Sequence, residues 1–579
     1  MKKFLLPIIA IILPILTFAQ ETVNKGIDQR IDEAFKPISD FFSNVIFFPI
    51  YQHELIVDGQ KIQIYIPFVL LLLVFSAAFF TLYFKFPNFR HFWTAINVVR
   101  GKYEDIEKHG AKILYGEDGI AQGQDINKVD DIEEHIENIE SLHSDLEIDG
   151  DIKETIRDES SHGEVSHFQA LATAVSGTVG NGNIAGVALA IALGGPGATF
   201  WMIICGLLGM STKFVECTLG VHYRDVGEDG TVYGGPMYYL TKGLKEKGFK
   251  TLGKIAAVLF AIFCIGGSFG GGNAAQSNQA TIVVKELLGL ESTMAGTVIG
   301  LVIAFLVGII IIGGIKRIAS VTEKIVPFMA VLYIICCLYI IFSNFSLLDD
   351  AIALIVNEAF NPKAIGVGGV IGVLLVGFKR AAFSNEAGAG SASIAHSAVK
   401  TKYSASEGLV ALLEPFIDTV VICTMTALVI VIFNFGGFFE YGGDGSGSVF
   451  IDGVAYEGAG ITSIAFHEYI PYSKIFLTIA VFLFAISTMI SWSYYGLQSW
   501  KFLFGRGKKA DLTYKILFLT FVVIGAAASM KSIWDFSDAM IFAMVFPNMV
   551  GLYLLMPVVK KQLKRYVDAI KMKREALNG

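Results

Sequence analysis

Charged residues are scarce in this sequence. Asp, Glu, Lys and Arg make up 17% of its 579 residues, whereas soluble globular domains average about a quarter. Acidic residues outnumber basic ones, 52 to 45, and no basic stripe with interleaved aromatics occurs, which argues against nucleic-acid binding. Because 54% of the residues are hydrophobic and the mean hydropathy is +0.59, the composition predicts an all-α polytopic membrane protein.

Cysteine is also sparse, and the familiar reactive motifs are missing. The six cysteines show no CxxC or Cys/His spacing, so we interpret them as packing residues rather than zinc ligands or disulfides. They are Cys205, Cys217, Cys264, Cys336, Cys337 and Cys423. The sequence also lacks HExxH and any Cys/His constellation, so we predict that the protein is not an enzyme.

The first 64 residues predict two segments. Residues 1–19 have the pattern of a signal peptide, with Lys2 and Lys3 before a short apolar run; an uncleaved anchor is the alternative. Residues 20–64 predict an extracytoplasmic amphipathic segment, as a helix either on the membrane surface or packed on the spans. Its apolar residues recur at helical spacing: Ile27, Ile31, Phe35, Ile38, Phe41, Phe42 and Val45.

Eleven stretches are long and apolar enough to cross a bilayer. They are 65–84, 168–192, 197–221, 253–287, 293–314, 321–343, 365–392, 407–434, 474–503, 513–529 and 536–558. The first is an extra N-terminal helix, followed by a cytoplasmic acidic insert (85–165), two five-helix repeats (166–346 and 347–559) and a basic cytoplasmic tail (560–579).

The distribution of Lys and Arg predicts the orientation. Basic residues recur in every second connection between spans. One such group consists of Lys379, Arg380, Lys400 and Lys402. By the positive-inside rule these connections are cytoplasmic. We therefore expect an N-terminus outside and a C-terminus inside, in a bacterial cytoplasmic (inner) membrane.

Two predicted spans are interrupted by glycines and small polar residues, at Ser176–Gly186 and Phe383–Ser391. Glycine costs about 1 kcal/mol relative to alanine inside a helix, so such clusters indicate unwound backbone. Leaving out the first span, these are the first and sixth of ten. An odd number of spans per half inverts the second half, which is typical of inverted-repeat transporters with a site at the membrane midplane.

Other polar and small residues in the spans have less specific interpretations. We expect the glycines at 266, 267 and 270–272 to serve close helix packing, and His167 and His396 to be packing residues. Asp418 is expected to anchor its helix to a neighbour, and Glu216 to be satisfied by adjacent lysines. Glu386, inside the second interruption, has either a gating or proton-linked role or a structural pairing.

The interruptions and their surroundings resemble the alanine or glycine:cation symporter family. The matching stretches are SHFQALATAVSGTVGNGNIAGVALAIALGGPGATFWM, KFVECTLGVHYR with GGPMYYL, GFKRAAFSNEAGAGSASIAHSA, FIDTVVICTMTALVI and STMISWSYYG. The resemblance implies a LeuT-type 5+5 inverted repeat with one extra N-terminal helix. Asn181 departs from the family, whose first break usually reads TVGTGN, and the acidic insert is longer than the family leads us to expect.

The resemblance also implies which residues bind the transported species. The substrate carboxylate is expected at backbone N–H groups of the first break, and its ammonium at the second. The implied substrate-binding residues are Thr178, Gly180, Asn181, Gly182, Gln276, Phe383, Ser384, Asn385 and Trp492. A sodium ion is implied between the first broken helix and the eighth helix, at carbonyls of Ser176 and Val179 and hydroxyls of Ser487 and Thr488.

The implied function is Na⁺-coupled symport of a small neutral amino acid, L-alanine or glycine. The alternatives are coupling to H⁺, a different solute, or an amino-acid-sensing transceptor acting through residues 103–165. No cofactor is expected beyond Na⁺ as the coupling ion. The expected partners are the amino acid, Na⁺ and the lipid bilayer, with no nucleic acid and the oligomeric state left open.

Overall fold

The computed structural model describes residues 27–57, 60–115, 142–143, 155–157, 163–227, 230–290, 292, 294–361, 369–442 and 447–578. The predicted signal peptide and most of the acidic insert lie outside these residues. The helices that precede the first break are α1 (Ile27–Ile46), α2 (Phe68–Tyr83), α3 (Pro87–Arg90), α4 (Phe92–Val99), α5 (Glu104–His109) and α6 (Ala111–Tyr115).

The remaining helices carry most of the predicted spans. In chain order they are α7 (His167–Thr178), α8 (Gly182–Gly194), α9 (Gly197–His222), α10 (Pro236–Tyr238 continued by Tyr239–Gly243 and Leu244–Glu246), α11 (Lys250–Leu288), α12 (Ala295–Ile311), α13 (Gly314–Ser343), α14 (Leu348–Phe360), α15 (Gly369–Asn385), α16 (Ala392–His396), α17 (Ser404–Asn434), α18 (Ala459–Tyr469), α19 (Ser473–Phe504), α20 (Lys508–Ala527) and α21 (Met530–Asn578).

Within the described ranges, eight short strands form three small sheets outside the helical core. Strands β1 (Pro49–Val57) and β2 (Gln60–Pro67) make an antiparallel hairpin, as do β7 (Ser448–Ile451) and β8 (Val454–Glu457). Strands β3 (Leu142–His143), β4 (Thr155–Arg157), β5 (Asp225–Gly227) and β6 (Val232–Tyr233) form one antiparallel sheet in that order. This sheet joins the predicted insert to the connection after α9.

Among the described residues, seven helices are long and apolar enough to cross a membrane: α9, α11, α13, α17, α19, α20 and α21. The bent pair of α7 and α8 makes an eighth span, and α2 and α12 are shorter apolar helices at predicted spans. Helix α15 coincides with the predicted span at residues 365–392. The all-α polytopic architecture is therefore confirmed, whereas the number eleven remains a prediction.

The outer helices present apolar residues to the surroundings at helical spacing. On α12 these are Val298, Leu301, Val302, Phe305 and Ile309, each about half exposed or more. The opposite side of α12 packs on α20. Such an apolar outer face is stable in lipid and costly in water. The core lies inside, where α8 and α16 are almost entirely buried, as are the C-terminal parts of α7 and α15.

Helix α1 is packed on the spans, one of the two arrangements that its spacing allowed. The Phe35 ring lies 5.2 Å from that of Phe536 on α21, and the Ser39 hydroxyl donates to the Ser532 carbonyl at 2.7 Å. Asp32 accepts from the Ser529 backbone N–H at 2.9 Å. The hairpin that follows α1 was not predicted, and it moves the start of the first span from residue 65 to Phe68.

Lys379 and Arg380 do not belong to a cytoplasmic connection, so that part of the orientation argument is wrong. Both lie inside α15 and pair with Asp538 on α21, Lys379 at 2.8 Å. Asp538 compensates part of their charge within the protein, and the positive-inside rule concerns connections rather than residues inside a helix. Lys400 and Lys402 do lie in a connection, between α16 and α17.

Glycines allow α11 and α20 to pack backbone against backbone. A methyl group on Gly525 of α20 would lie 2.4 Å from the Cα and O atoms of Ala274, in the π-helical turn Gly270–Ala274 of α11. On Gly272 it would lie 2.1 Å from Cγ of Trp492. The structure thus confirms that this glycine cluster serves close helix packing.

We predict that Gly525→Ala lowers the free energy of unfolding by about 1–3 kcal/mol, because the clashing atoms are backbone and cannot rotate away. The measurement is thermal unfolding of the purified protein in detergent. Gly308→Ala on α12 is the matched control, since its new methyl group would meet only the movable end of Leu519, at 3.3 Å. An unfolding midpoint for Gly525→Ala equal to that of the control would contradict the prediction.

Candidate functional site

The first break separates α7 from α8, whose axes differ by 50°. Helix α7 begins with a capping box between Ser166 and Gln169 and ends at Thr178; Val179 then turns to extended backbone. The N–H of Gly180 donates to Asn183 Oδ1 at 2.8 Å. The carbonyl of Asn181 accepts three N–H groups at the start of α8, including that of Ala185 at 2.8 Å. The predicted unwinding is therefore present.

The second break lies between α15 and α16. Glu386, Gly388 and Gly390 have φ values of 55°, 96° and 86°, a region that only glycine occupies without cost. The Glu386 side chain holds this backbone, accepting from Trp492 Nε1 at 2.8 Å and Ser391 Oγ at 2.5 Å. Glu386 therefore has the structural pairing, one of the two roles that its position allowed.

The two breaks meet in the core. A methyl group on Gly182 would lie 3.4 Å from the Cα atom of Ser384. Asp418 on α17 accepts from both sides, from Asn183 Nδ2 at 2.7 Å and Ser384 Oγ at 3.1 Å. Asp418 therefore anchors its helix as expected, but to both breaks at once. In the sequence, the only indication of this anchoring role was a charged residue inside a predicted span.

A cluster of neutral oxygens joins the first break to α19. Thr488 Oγ1 donates to the Ser176 carbonyl at 3.1 Å, and Ser176 Oγ donates to the Ser487 carbonyl at 2.7 Å. The Ser487 hydroxyl instead donates to Phe484 in its own helix at 2.9 Å, as serines in spans often do. Val179 is buried at the end of the same turn. Four oxygens from Ser176, Ser487 and Thr488 therefore lie together.

Asn181 and Gln276 face one another across the first break. The Asn181 N–H donates to Gln276 Oε1 at 3.0 Å, and Asn181 Nδ2 donates to the Gln276 carbonyl at 3.2 Å. Within the described part of the chain, the buried Oδ1 of Asn181 has no hydrogen-bond partner. A buried acceptor without a donor costs about 1–3 kcal/mol, so this atom is suited to receive an N–H from a bound solute.

Aromatic rings bound the region beside the second break. The Phe383 ring lies 4.9 Å from that of Trp534 on α21, which sequence reasoning missed because no motif marks it. Arg380 lies over both rings, at 5.5 and 5.1 Å from their centres. Trp492 packs on Gly267 and Gly272 of α11, and its indole N–H donates to Glu386. All of these side chains are buried.

Among the predicted substrate ligands, Asn385 and Thr178 have side chains that are bonded locally in this conformation. Asn385 Nδ2 donates to Thr419 Oγ1 at 2.9 Å and its Oδ1 accepts from the Ala387 N–H at 3.0 Å, so the side chain stabilises the break itself. The Thr178 hydroxyl donates to carbonyls of its own helix, at 3.3 and 3.4 Å. Ser384, by contrast, lies where both breaks meet.

The interpretation of His167 and His396 as packing residues is wrong. His167, at the start of α7, contacts carboxylates of Glu107 and Glu407, and His396 lies 2.5 Å from Glu407. This charged cluster continues through Glu414 to the buried Lys213, whose Nζ lies 2.9 Å from Glu414. Glu107, His167 and Lys213 are far in sequence from His396, Glu407 and Glu414, and no spacing connects the two groups.

Glu216 lies near the expected Lys213, but its hydrogen bond comes from another helix. Glu216 Oε1 accepts from Asn548 Nδ2 at 2.8 Å, and the nearby Lys213 pairs with Glu414 instead. Asn548 also donates to the Gly388 carbonyl at 2.8 Å. Glu216 therefore contributes to holding the second break, through α21.

Comparison with known proteins assigns the family. A model of the sodium:alanine symporter family matches residues 147–578. The chain belongs to the sodium:alanine symporter family. It is 41% identical over 425 residues to the sodium/alanine symporter AgcS of Methanococcus maripaludis, covering 73% of this chain and 88% of that protein.

Other proteins that are similar to this chain carry different names. The probable sodium/glutamine symporter GlnT of Bacillus subtilis is 36% identical over 413 residues, covering 70% of this chain and 79% of that protein.

Among solved structures, the crystal structure of MhsT in complex with L-phenylalanine covers 71% of this chain and 99% of that chain, with 13% identity and a TM-score of 0.45. The chain is a multi-pass membrane transporter, not an enzyme, as its family membership predicts.

We predict that Gly180→Ala lowers amino-acid uptake at least tenfold, equivalent to about 1.4 kcal/mol. A methyl group there would lie 2.3 Å from Thr488 Oγ1 and 3.1 Å from Gln276 Oε1, and the β-branched threonine has few other rotamers. Gly186→Ala in the same broken span is the control, because its methyl group would lie at an ordinary 3.6 Å from Trp534. Uptake by Gly180→Ala equal to that of the control would disprove a tight fit at the break.

Proposed function

We propose that this protein is a Na⁺-coupled symporter that carries L-alanine or glycine into the cell by alternating access. The neutral-oxygen cluster of Ser176, Ser487 and Thr488 beside the first break is the observation that carries the proposal. Family membership and the name of the Methanococcus maripaludis relative, a sodium/alanine symporter, support it.

The cation would bind at the oxygens of Ser176, Val179, Ser487 and Thr488. Carbonyls at the end of an interrupted helix carry partial negative charge and can replace the hydration shell of an alkali ion. The hydroxyl of Thr488 and the carbonyl of Ser176 are already 3.1 Å apart. Because the cluster contains no ionisable side chain, it favours Na⁺ over a proton.

The amino acid would bind between the two breaks. Its carboxylate would meet N–H groups around Gly180 and Gly182, where the start of α8 carries partial positive charge. Its ammonium would donate to oxygens of Ser384 and Asn181, and the unpartnered Asn181 Oδ1 supports this arrangement. Asn385 and Thr178 would contribute by shaping the breaks, since their side chains are bonded locally.

A small side chain suits the walls of this region. Phe383 and Trp492 are bulky and buried, and the glycines of α11 against them leave no room for a methyl group. A rigid wall discriminates against one extra methylene by about 1–3 kcal/mol. This argument favours alanine or glycine over a larger amide such as glutamine, although a relative is named for glutamine transport.

The orientation follows from the connections. We propose that the α16–α17 connection, with Lys400 and Lys402, and the basic end of α21 face the cytoplasm, and that α1 lies outside. We propose a bacterial inner membrane as its location. An inward Na⁺ gradient would then load the outward-open state and drive accumulation.

The deciding experiment is uptake of labelled alanine into proteoliposomes under an inward Na⁺ gradient or an inward proton gradient. We expect accumulation with Na⁺ alone, and competition by glycine but not by glutamine. Uptake driven by protons alone would overturn the proposed coupling ion. Competition by glutamine as strong as that by glycine would overturn the proposed substrate.

We further predict that Thr488→Ala raises the Na⁺ concentration for half-maximal uptake about tenfold, or about 1.4 kcal/mol, because one cation ligand is lost. The alanine half-saturation concentration at saturating Na⁺ should change much less. Thr478→Ala is the matched control, a buried threonine ten residues earlier on α19 whose hydroxyl donates to Val283 at 3.5 Å. An unchanged Na⁺ dependence in Thr488→Ala would remove Thr488 from the cation site.

A further inference from the structure

Asp418 is the carboxylate at which the two broken helices are joined. It is fully buried in a π-helical turn of α17, at residues Phe416–Cys423. Its Oδ1 accepts from Asn183 Nδ2 at 2.7 Å and from Ser384 Oγ at 3.1 Å. One carboxylate oxygen therefore bonds α8, after the first break, and α15, before the second.

The bonds of Asp418 continue into both breaks. Asn183, which donates to Asp418, also accepts the N–H of Gly180 at 2.8 Å. On the other side, Thr419 Oγ1 donates to Asp418 Oδ2 at 2.7 Å and accepts from Asn385 Nδ2 at 2.9 Å. A continuous chain of hydrogen bonds thus runs from the unwound backbone of the first break to the last residue of α15.

This chain begins beside the proposed cation cluster and ends beside the proposed amino-acid site. Gly180 is in tight contact with Thr488, since a methyl group on it would lie 2.3 Å from Thr488 Oγ1. Ser384, which also donates to Asp418, lies beside Gly182, where an added methyl group would be 3.3 Å from its hydroxyl. A shift of backbone at either site therefore changes the length of bonds that Asp418 makes to the other.

Other side chains hold one break each to a neighbouring helix. Gln276 ties the first break to α11, and Trp492 ties the second to α19 through Glu386. In the part of the chain that the structure describes, Cys423 is the other side chain that contacts both Asn183 and Ser384. Its Sγ lies 3.3 and 3.8 Å away and is a weak acceptor. Asp418 provides the strong connection.

We propose that Asp418 is a positioning residue that couples the two breaks, so that Na⁺ bound beside the first break and amino acid bound between the two breaks raise each other's affinity. Such coupling is reciprocal, because binding of either species favours the same arrangement of the shared bonds. The inference rests on the proposed Na⁺-coupled function. It assigns no contact between Asp418 and either transported species.

The test is equilibrium binding of labelled alanine to the purified full-length protein at low and at saturating Na⁺. In the wild type we expect Na⁺ to lower the alanine dissociation constant at least tenfold. In Asp418→Asn one of the two acceptor oxygens becomes an NH2 group, so it faces at least one of the donors of Asn183, Ser384 and Thr419, donor against donor. We expect the effect of Na⁺ on alanine binding to fall below threefold in this variant.

A matched control distinguishes coupling from general loss of stability. Thr426→Val, on the same helix as Asp418, removes a buried hydrogen bond of 2.8 Å to Tyr333 on α13. We expect it to lower the unfolding temperature but to keep the wild-type effect of Na⁺ on alanine binding. Loss of that effect in Thr426→Val would show that any weakened α17 uncouples the sites, which overturns the special role of Asp418.

A side-chain exchange provides the second variant. Asn183→Asp alone sets two carboxylates against each other, but Asn183→Asp with Asp418→Asn restores an amide–carboxylate pair. We expect the double variant to recover the effect of Na⁺ to within threefold of the wild type, a non-additive result typical of residues in direct contact. A double variant no better than the single ones would overturn the inference, as would wild-type coupling in Asp418→Asn.

The outcomes also separate this inference from the proposed function. If Na⁺ does not affect alanine binding even in the wild type, the Na⁺-coupled function fails and the coupling role of Asp418 fails with it. If Na⁺ acts normally in the wild type and in Asp418→Asn, the function stands and only the inference fails.

Discussion

The structure depends on one constraint: backbone polar groups released at two helix breaks must find partners inside a membrane. Each unpaired N–H or carbonyl there costs several kcal/mol. The first break meets this demand locally, through Asn183 and the carbonyl of Asn181. The second relies on more distant groups, among them the Glu386–Trp492 pair and Asn548. The groups that remain available between the breaks are those suited to a charged solute and an alkali ion.

Close packing follows from the same constraint. Irregular backbone is tolerated at membrane depth only where other helices cover it, and covering requires small residues. Gly272 brings α11 onto Trp492, and Gly525 brings α20 onto the π-helical turn of α11. These contacts immobilise the indole that in turn holds Glu386. The glycine cluster of α11 is thus a condition for the second break.

Charged side chains in the core are placed in pairs or clusters. Lys213 pairs with Glu414, and Arg380 pairs with Asp538. Each of these two basic side chains thus has a carboxylate partner in a region of low dielectric. Asp418, like Glu386 and Glu216, accepts hydrogen bonds from neutral donors, and its three donors come from both breaks and from α17. Such a group is positioned by hydrogen bonds rather than by charge, which makes it sensitive to the geometry of both breaks.

Local sequence determined where the chain is apolar and where its helices break. Hydropathy marked the spans, and glycine clusters at Ser176–Gly186 and Phe383–Ser391 marked both breaks, because these signals lie within one turn or one span. The local sequence did not indicate which side chains pair across the core. That Asn183 meets Asp418, that His167 lies between carboxylates, and that Arg380 is neutralised by Asp538 depend on how distant helices pack. Only the tertiary structure decides these contacts, since their partners are separated by 60 to 240 residues.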